Sequence, residues 1–178
     1  MMWGFKVKVQ KIALLGVLLA STIVIAILES FIPSFTIPGI KLGLANIVIL
    51  VTLYEVGILE AVFINLVRVL VVSLVRGTFL SMGFFMSLTG AFLSLGVMIL
   101  FYLLIKKFSI IGVSVIGSLF HVIGQIIIAM IYMGTVYVIY YLPIIAFSAL
   151  ITGIFVGFIA RSIIKTNVIK KQREKYNF

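Results

Sequence analysis

The chain is 178 residues long, 64% hydrophobic and strongly basic, with a formal net charge of +10 and a mean hydropathy of +1.40. No water-soluble domain of this size tolerates so much apolar sequence, and its continuous runs of about twenty apolar residues read as membrane-spanning helices, not as the alternating strands of roughly ten residues that build a barrel. With no cysteine, there is no disulfide framework, no thiolate metal site and no cysteine nucleophile.

The basic residues do not form a nucleic-acid surface. Lys6, Lys8 and Lys11 precede the first apolar run, Lys106 and Lys107 share one short loop, and Arg161, Lys165, Lys170, Lys171, Arg173 and Lys175 follow the last run. This positive-inside distribution predicts a multi-pass protein of the cell membrane with both termini cytoplasmic. Only Lys41 and Arg76 fall on the opposite side, and Arg68 lies within a span.

Span one is expected from about Ile12 to Leu28, ended by Glu29 and Ser30. Its basic start and apolar core resemble a signal peptide, but no A-x-A site follows and further spans come after it, so it reads as a retained helix. Phe31 to Leu42 is an apolar loop broken by Pro33 and Pro38. Its Phe31, Ile32, Phe35, Ile37 and Ile40 should fold it back onto the bundle. Span two, about Gly43 to Tyr54, is short for a full crossing. Span three is expected over Ile58 to Val75, span four over Phe84 to Ile105 and span five over Ile110 to Met133. An outer loop, Gly134 to Leu142, holds Tyr137, Tyr140 and Tyr141. Span six starts at Pro143, a good first-turn residue, and ends near Ile164. The expected fold class is all-α: a polytopic membrane protein with a bundle of six transmembrane helices in residues 1–164, then a basic cytoplasmic tail in 165–178.

Arg68 is the most informative residue. An arginine inside an apolar span is costly and is kept for a reason. Glu60 lies two turns away, and no other acid is obviously placed to neutralise it, so Arg68 is expected to meet an anionic or strongly polar ligand group. The structural alternative is that it satisfies backbone carbonyls beside the short span two. Asn65 is three residues away and shares its face. In the run Pro38 to Asn46, a turn precedes the start of span two, so Lys41 and Asn46 would sit near a helix N-terminus, a seat for a carboxylate or phosphate; alternatively Lys41 only snorkels to the interface. His121 and Gln125 share one face of span five, as ligand contacts or as a hydrogen-bonded packing pair. With a lone histidine, no aspartate and four glutamates, neither a zinc site nor a magnesium–diphosphate cluster can be assembled. No P-loop is present, so the chain cannot power transport by itself. It reads as a non-enzyme without a cofactor of its own.

Small residues at helical spacing allow close helix approach. In span four (Gly83, Ser87, Gly90 or Ala91, Ser94) and span six (Ala149, Gly153, Gly157) they are expected to serve internal packing. Gly16 and Ala20 of span one suit either packing or docking of a partner membrane protein.

The strings PGIKLGLANIV (Pro38 to Val48), LVRGT (Leu74 to Thr78), SLTG (Ser87 to Gly90), GVSVIGSLFHVIGQ (Gly112 to Gln125) and YLP (Tyr141 to Pro143), together with Arg68, resemble the Gx transporter family, often labelled heptaprenyl diphosphate synthase component I. The likeness extends over about Ile12 to Ile164. In that family asparagine commonly follows the span-five histidine, where this chain has Val122. The family is similar to the substrate-binding S components of energy-coupling factor transporters. That resemblance implies capture of a vitamin or its precursor from outside, and an apolar pocket with a few polar anchors suits a flat, partly anionic ligand such as a flavin or a quinone precursor. It further implies docking through Gly16 and Ala20 onto a transmembrane coupling subunit driven by ATPases, and a first loop that caps the substrate. Lys41, Asn46, Asn65, Arg68, His121 and Gln125 are the expected polar contacts, with Phe35 and Tyr141 among the aromatic walls. The rival readings are a non-catalytic membrane subunit of a heptaprenyl diphosphate or quinone-synthesis complex, and a membrane component of a flavin-dependent electron-transfer assembly.

Overall fold

A computed structural model describes residues 2–31, 43–105, 108–166, 169 and 171, with side chains from residue 9 onward. The apolar loop bearing Phe35 and Lys41, the Lys106–Lys107 turn and most of the basic tail lie outside the described residues. The protein is all-α. Its helices are α1 (Met2–Ser30), α2 (Asn46–Glu55), α3 (Ile58–Val75), α4 (Met82–Leu104), α5 (Ile110–Met133) and α6 (Leu142–Lys165), with a 3₁₀ helix at Val136–Tyr141 between the last two. Among the described residues, five of the six α-helices are long and apolar enough to cross a membrane, which makes the chain a multi-pass membrane protein.

Local chemistry explains where the helices begin and end. Ser81 and Ser109 start α4 and α5 by accepting the main-chain N–H groups of Phe84 and Gly112, which satisfies donors that a first turn otherwise leaves open. Gly134 closes α5 in the left-handed conformation, at φ 63°. Pro143 stands in the first turn of α6, where its missing N–H costs nothing.

The ten-residue α2 is the exception in length. At about 15 Å it covers only half of a hydrocarbon layer. It is apolar on every side, and all of its residues except Tyr54 are buried, as expected of a helix enclosed by others. It touches α1, α3, α4 and α6. Around it, α1 packs on α3, and α5 lies between α4 and α6.

The α4–α5–α6 layer is held by glycines. A Cβ on Gly124 would lie 2.9 Å from the Cα of Gly90, one on Gly90 would lie 2.8 Å from the His121 carbonyl oxygen, and one on Gly153 would lie 2.8 Å from the Cα of Val115. Gly90 of span four and Gly153 and Gly157 of span six therefore serve internal packing, as expected for those spans. Without water to drive apolar association, such backbone approach is what van der Waals attraction between helices needs. Ser114 adds a hydrogen bond from Oγ to the Gly153 carbonyl at 2.8 Å.

Gly16 behaves differently. A Cβ there would meet nothing within 4 Å, and Gly16 and Ala20 are both exposed. The buried stripe of α1 runs instead through Leu18, Thr22, Ala26 and Glu29. At the opposite end of α3 from Arg68, Glu60 pairs with Lys11 of α1 at 2.6 Å.

Candidate functional site

The buried face of α3 carries Ala61, Ile64, Asn65, Arg68, Val69, Val72 and Ser73, the i, i+3, i+4, i+7 rhythm of one helical stripe. That phase points Arg68 into the bundle, where it is 5% exposed. Its Nη2 donates to Asn65 Oδ1 at 2.7 Å and its Nη1 to Asn46 Oδ1 at 3.5 Å. Asn65 Nδ2 in turn donates to the Ala91 carbonyl at 3.1 Å, and Asn46 Nδ2 to Ser94 Oγ at 3.4 Å. One guanidinium thus ties the start of α2 to α3 and, through the two asparagines, to α4. A guanidinium has five N–H donors, and these bonds leave donors over for a further partner.

Beside this network is a small cleft with a cavity volume of about 30 Å³ that opens outward. Arg68, Glu29 and His121 supply its titratable side chains, and Ser73, Thr78 and Ser87 supply hydroxyl-bearing residues. The apolar wall includes Ala26, Val72 and Phe84.

Glu29 corrects the reading of Arg68 as a cation without an acid. It is buried at 5% exposure, because the buried stripe of α1 runs on into it. It lines the same cleft as Arg68, although the only ion-pair contact among the described residues is Lys11–Glu60. Its Oε1 accepts the main-chain N–H of Gly43, just ahead of α2. The carboxylate of Glu29 thus sits against the chain just ahead of α2, close to where the sequence suggested an anion seat.

Gly43 is the joint of the site. Its φ of +85° is left-handed, and a Cβ there would lie 3.1 Å from Asn46 Nδ2 and 3.6 Å from His121 Cδ2. The second glycine of PGIKLGLAN is thus required by conformation and lets the backbone sit against the histidine ring. Behind that ring, Gln125 Nε2 lies 3.0 Å from His121 Nε2; as assigned, the amide donates and the ring nitrogen accepts.

Of the residues expected from sequence, Asn46, Asn65, Arg68, His121 and Gln125 are brought together, but only Arg68 and His121 line the cleft. The two asparagines hold the guanidinium, and Gln125, fully buried, backs the histidine. Tyr141 is not at the cleft and is 47% exposed, while Tyr137 and Tyr140 stack on each other outside it. Lys41 and Phe35 lie outside the described residues. The sequence reading missed Glu29, Gly43, Ser73, Thr78 and Ser87 as cleft residues. For Glu29 a signal was present: it is an acid at the outer end of span one, the end toward which Arg68 is displaced from the centre of span three, in a chain without aspartate.

The family profile described as heptaprenyl diphosphate synthase component I matches residues 18–163. The chain belongs to that family. The match begins in α1 ahead of Glu29 and ends in α6, so every residue of the cleft falls inside the component I homology. Neither the curated proteins nor the solved structures contain a match. As component I, the chain is by name one part of an assembly with partner subunits, and its exposed apolar helix faces require lipid. Among the described residues no group of three His, Cys, Asp or Glu is placed to hold a metal ion.

Proposed function

We propose that this component I protein is the substrate-binding subunit of an uptake system, similar to an energy-coupling factor S component. The cleft captures a small molecule from outside, and a transmembrane coupling subunit with ATPases drives its release inward. Residues 1–164 form the binding domain, and 165–178 a cytoplasmic tail. The observation that carries this reading is a cleft with buried Arg68, Glu29 and His121 on its wall, placed at the N-terminus of a half-length helix. Half-helix ends aimed at a polar cavity are a recurrent device for ligand capture in membrane transporters. A buried ionic wall is also costly to maintain without a ligand role. The open Gly16–Ala20 face of α1 supports docking of a partner helix.

A second reading has a specific observation behind it, the family description: a non-catalytic membrane component of a heptaprenyl diphosphate synthase complex. Extraction in mild detergent, followed by native mass spectrometry and identification of co-purifying subunits, separates the two. Uptake predicts a retained small molecule together with ATPases and a coupling subunit. A soluble prenyltransferase in their place, with an empty cleft, refutes the uptake reading.

A further inference from the structure

Charge bookkeeping of the cleft restricts its ligand. Two lining residues have side chains of opposite charge type, a guanidinium on Arg68 and a carboxyl group on Glu29, and each is 5% exposed. Two features would attract an incoming anion: the Arg68 guanidinium and the main-chain N–H of Gly43 just ahead of α2. Glu29 already stands at both, accepting the Gly43 N–H and sharing the wall of the cleft with Arg68. A phosphate entering there would compete with a fixed carboxylate for the same two attractors and face it at close range in a medium of low dielectric. Arg68 meanwhile keeps N–H donors for an uncharged acceptor, and Glu29, acceptor-only when ionised, keeps lone pairs for a donor.

We infer that Glu29 is the specificity-determining residue of the cleft: it is the resident counter-ion of Arg68, so the site takes a neutral or zwitterionic molecule that offers an acceptor to Arg68 and a donor to Glu29, and refuses phosphate and diphosphate esters. The inference rests on the proposed capture of a ligand in this cleft. It selects among ligands by charge, which that proposal leaves open.

The test uses the full chain in mild detergent and inorganic pyrophosphate as the probe, read by thermal melting. Wild type is expected to show no stabilisation across the titration. Glu29→Gln keeps an oxygen for the Gly43 N–H but removes the charge, and should acquire pyrophosphate stabilisation with an affinity on the order of tenfold or more above wild type. Adding Arg68→Met to it should abolish the gain. Wild type stabilised as well as Glu29→Gln overturns the inference, as does a folded Glu29→Gln variant that pyrophosphate leaves unmoved. Should Glu29→Gln fail to fold, wild type alone decides: stabilisation by pyrophosphate that Arg68→Lys weakens overturns the assignment, and none upholds it. Native mass spectrometry adds an independent arm. A phosphorylated compound retained by wild type through Arg68 overturns the inference, whereas an empty cleft counts against capture itself and leaves the charge assignment to the pyrophosphate titration.

Discussion

Glu29, at the end of α1, and Gly43, fourteen residues further on, are joined by a hydrogen bond from main-chain N–H to carboxylate. That contact pins the start of the buried half-helix α2 to the first helix of the bundle. It also places a buried acid on the wall of the cleft that buried Arg68 lines.

Arg68→Met follows directly from that arrangement. On sequence alone, a purely functional role predicts a methionine variant as stable as wild type or more so, and a structural role predicts a loss. The structure favours the loss: methionine would leave the Asn46 and Asn65 side-chain oxygens without their donor and the buried cleft acid Glu29 without a cation on the same wall. The expected loss is about 3–5 kcal/mol, typical of removing one partner from a buried charged network. Thermal melting without ligand checks it, and an unchanged midpoint would sink the network. Arg68→Lys keeps the charge but not the fork that reaches both asparagines, and should fall between the two.

Glu60→Gln offers the opposite case. Its partner Lys11 has a side chain 41% exposed, so the ion pair is screened and worth less than about 1 kcal/mol. Melting should barely move. A loss comparable to that of Arg68→Met would show that this end of the bundle depends on the pair.

Glycine substitutions should sort by what surrounds them. Gly124→Ala puts a methyl 2.9 Å from the Gly90 backbone, which cannot yield without parting α4 from α5; about 1–3 kcal/mol of destabilisation is expected. Gly96→Ala meets nothing within 4 Å and should be neutral or gain up to about 1 kcal/mol from helix propensity. Equal melting of the two variants would contradict the close α4–α5 approach.

On the open face of α1, Gly16→Leu with Ala20→Leu should leave melting within about 0.5 kcal/mol of wild type, as surface changes do, because neither position is covered. If the proposed docking holds, the same variant loses its partner subunits in a pull-down, since bulky side chains hold two helices apart. Retained association would return this stripe to contact with lipid.

Topology can be read with single cysteines, because the chain has none of its own. A cysteine at exposed Arg76, at the cleft end, should react with an impermeant reagent added to intact cells, while one at exposed Thr166 should not. Labelling at Thr166 would place the C-terminal end outside and reverse the direction of capture.

The helices themselves were legible in the sequence. Spans three and five have the expected ends, Ile58–Val75 and Ile110–Met133, since capping serines, turn glycines and charged ends act locally. Membrane location and helix count follow from hydropathy, which needs no tertiary contact. The grouping of Asn65 with Arg68, and of His121 with Gln125, was also visible, because three- and four-residue spacing fixes a shared face. What the sequence could not supply was the rotation of each helix about its own axis. In α1 and α2 nearly every residue is apolar, so no polar face marks the inside, and which stripe turns inward is decided by packing against other helices. That packing carried Glu29 into the cleft, left Gly16 open, and set Gly43 against His121, a residue seventy-eight positions away by number. The make-up of the site therefore belongs to the tertiary structure: a carboxyl group and a guanidinium from separate helices share one cavity wall only once the bundle brings them there.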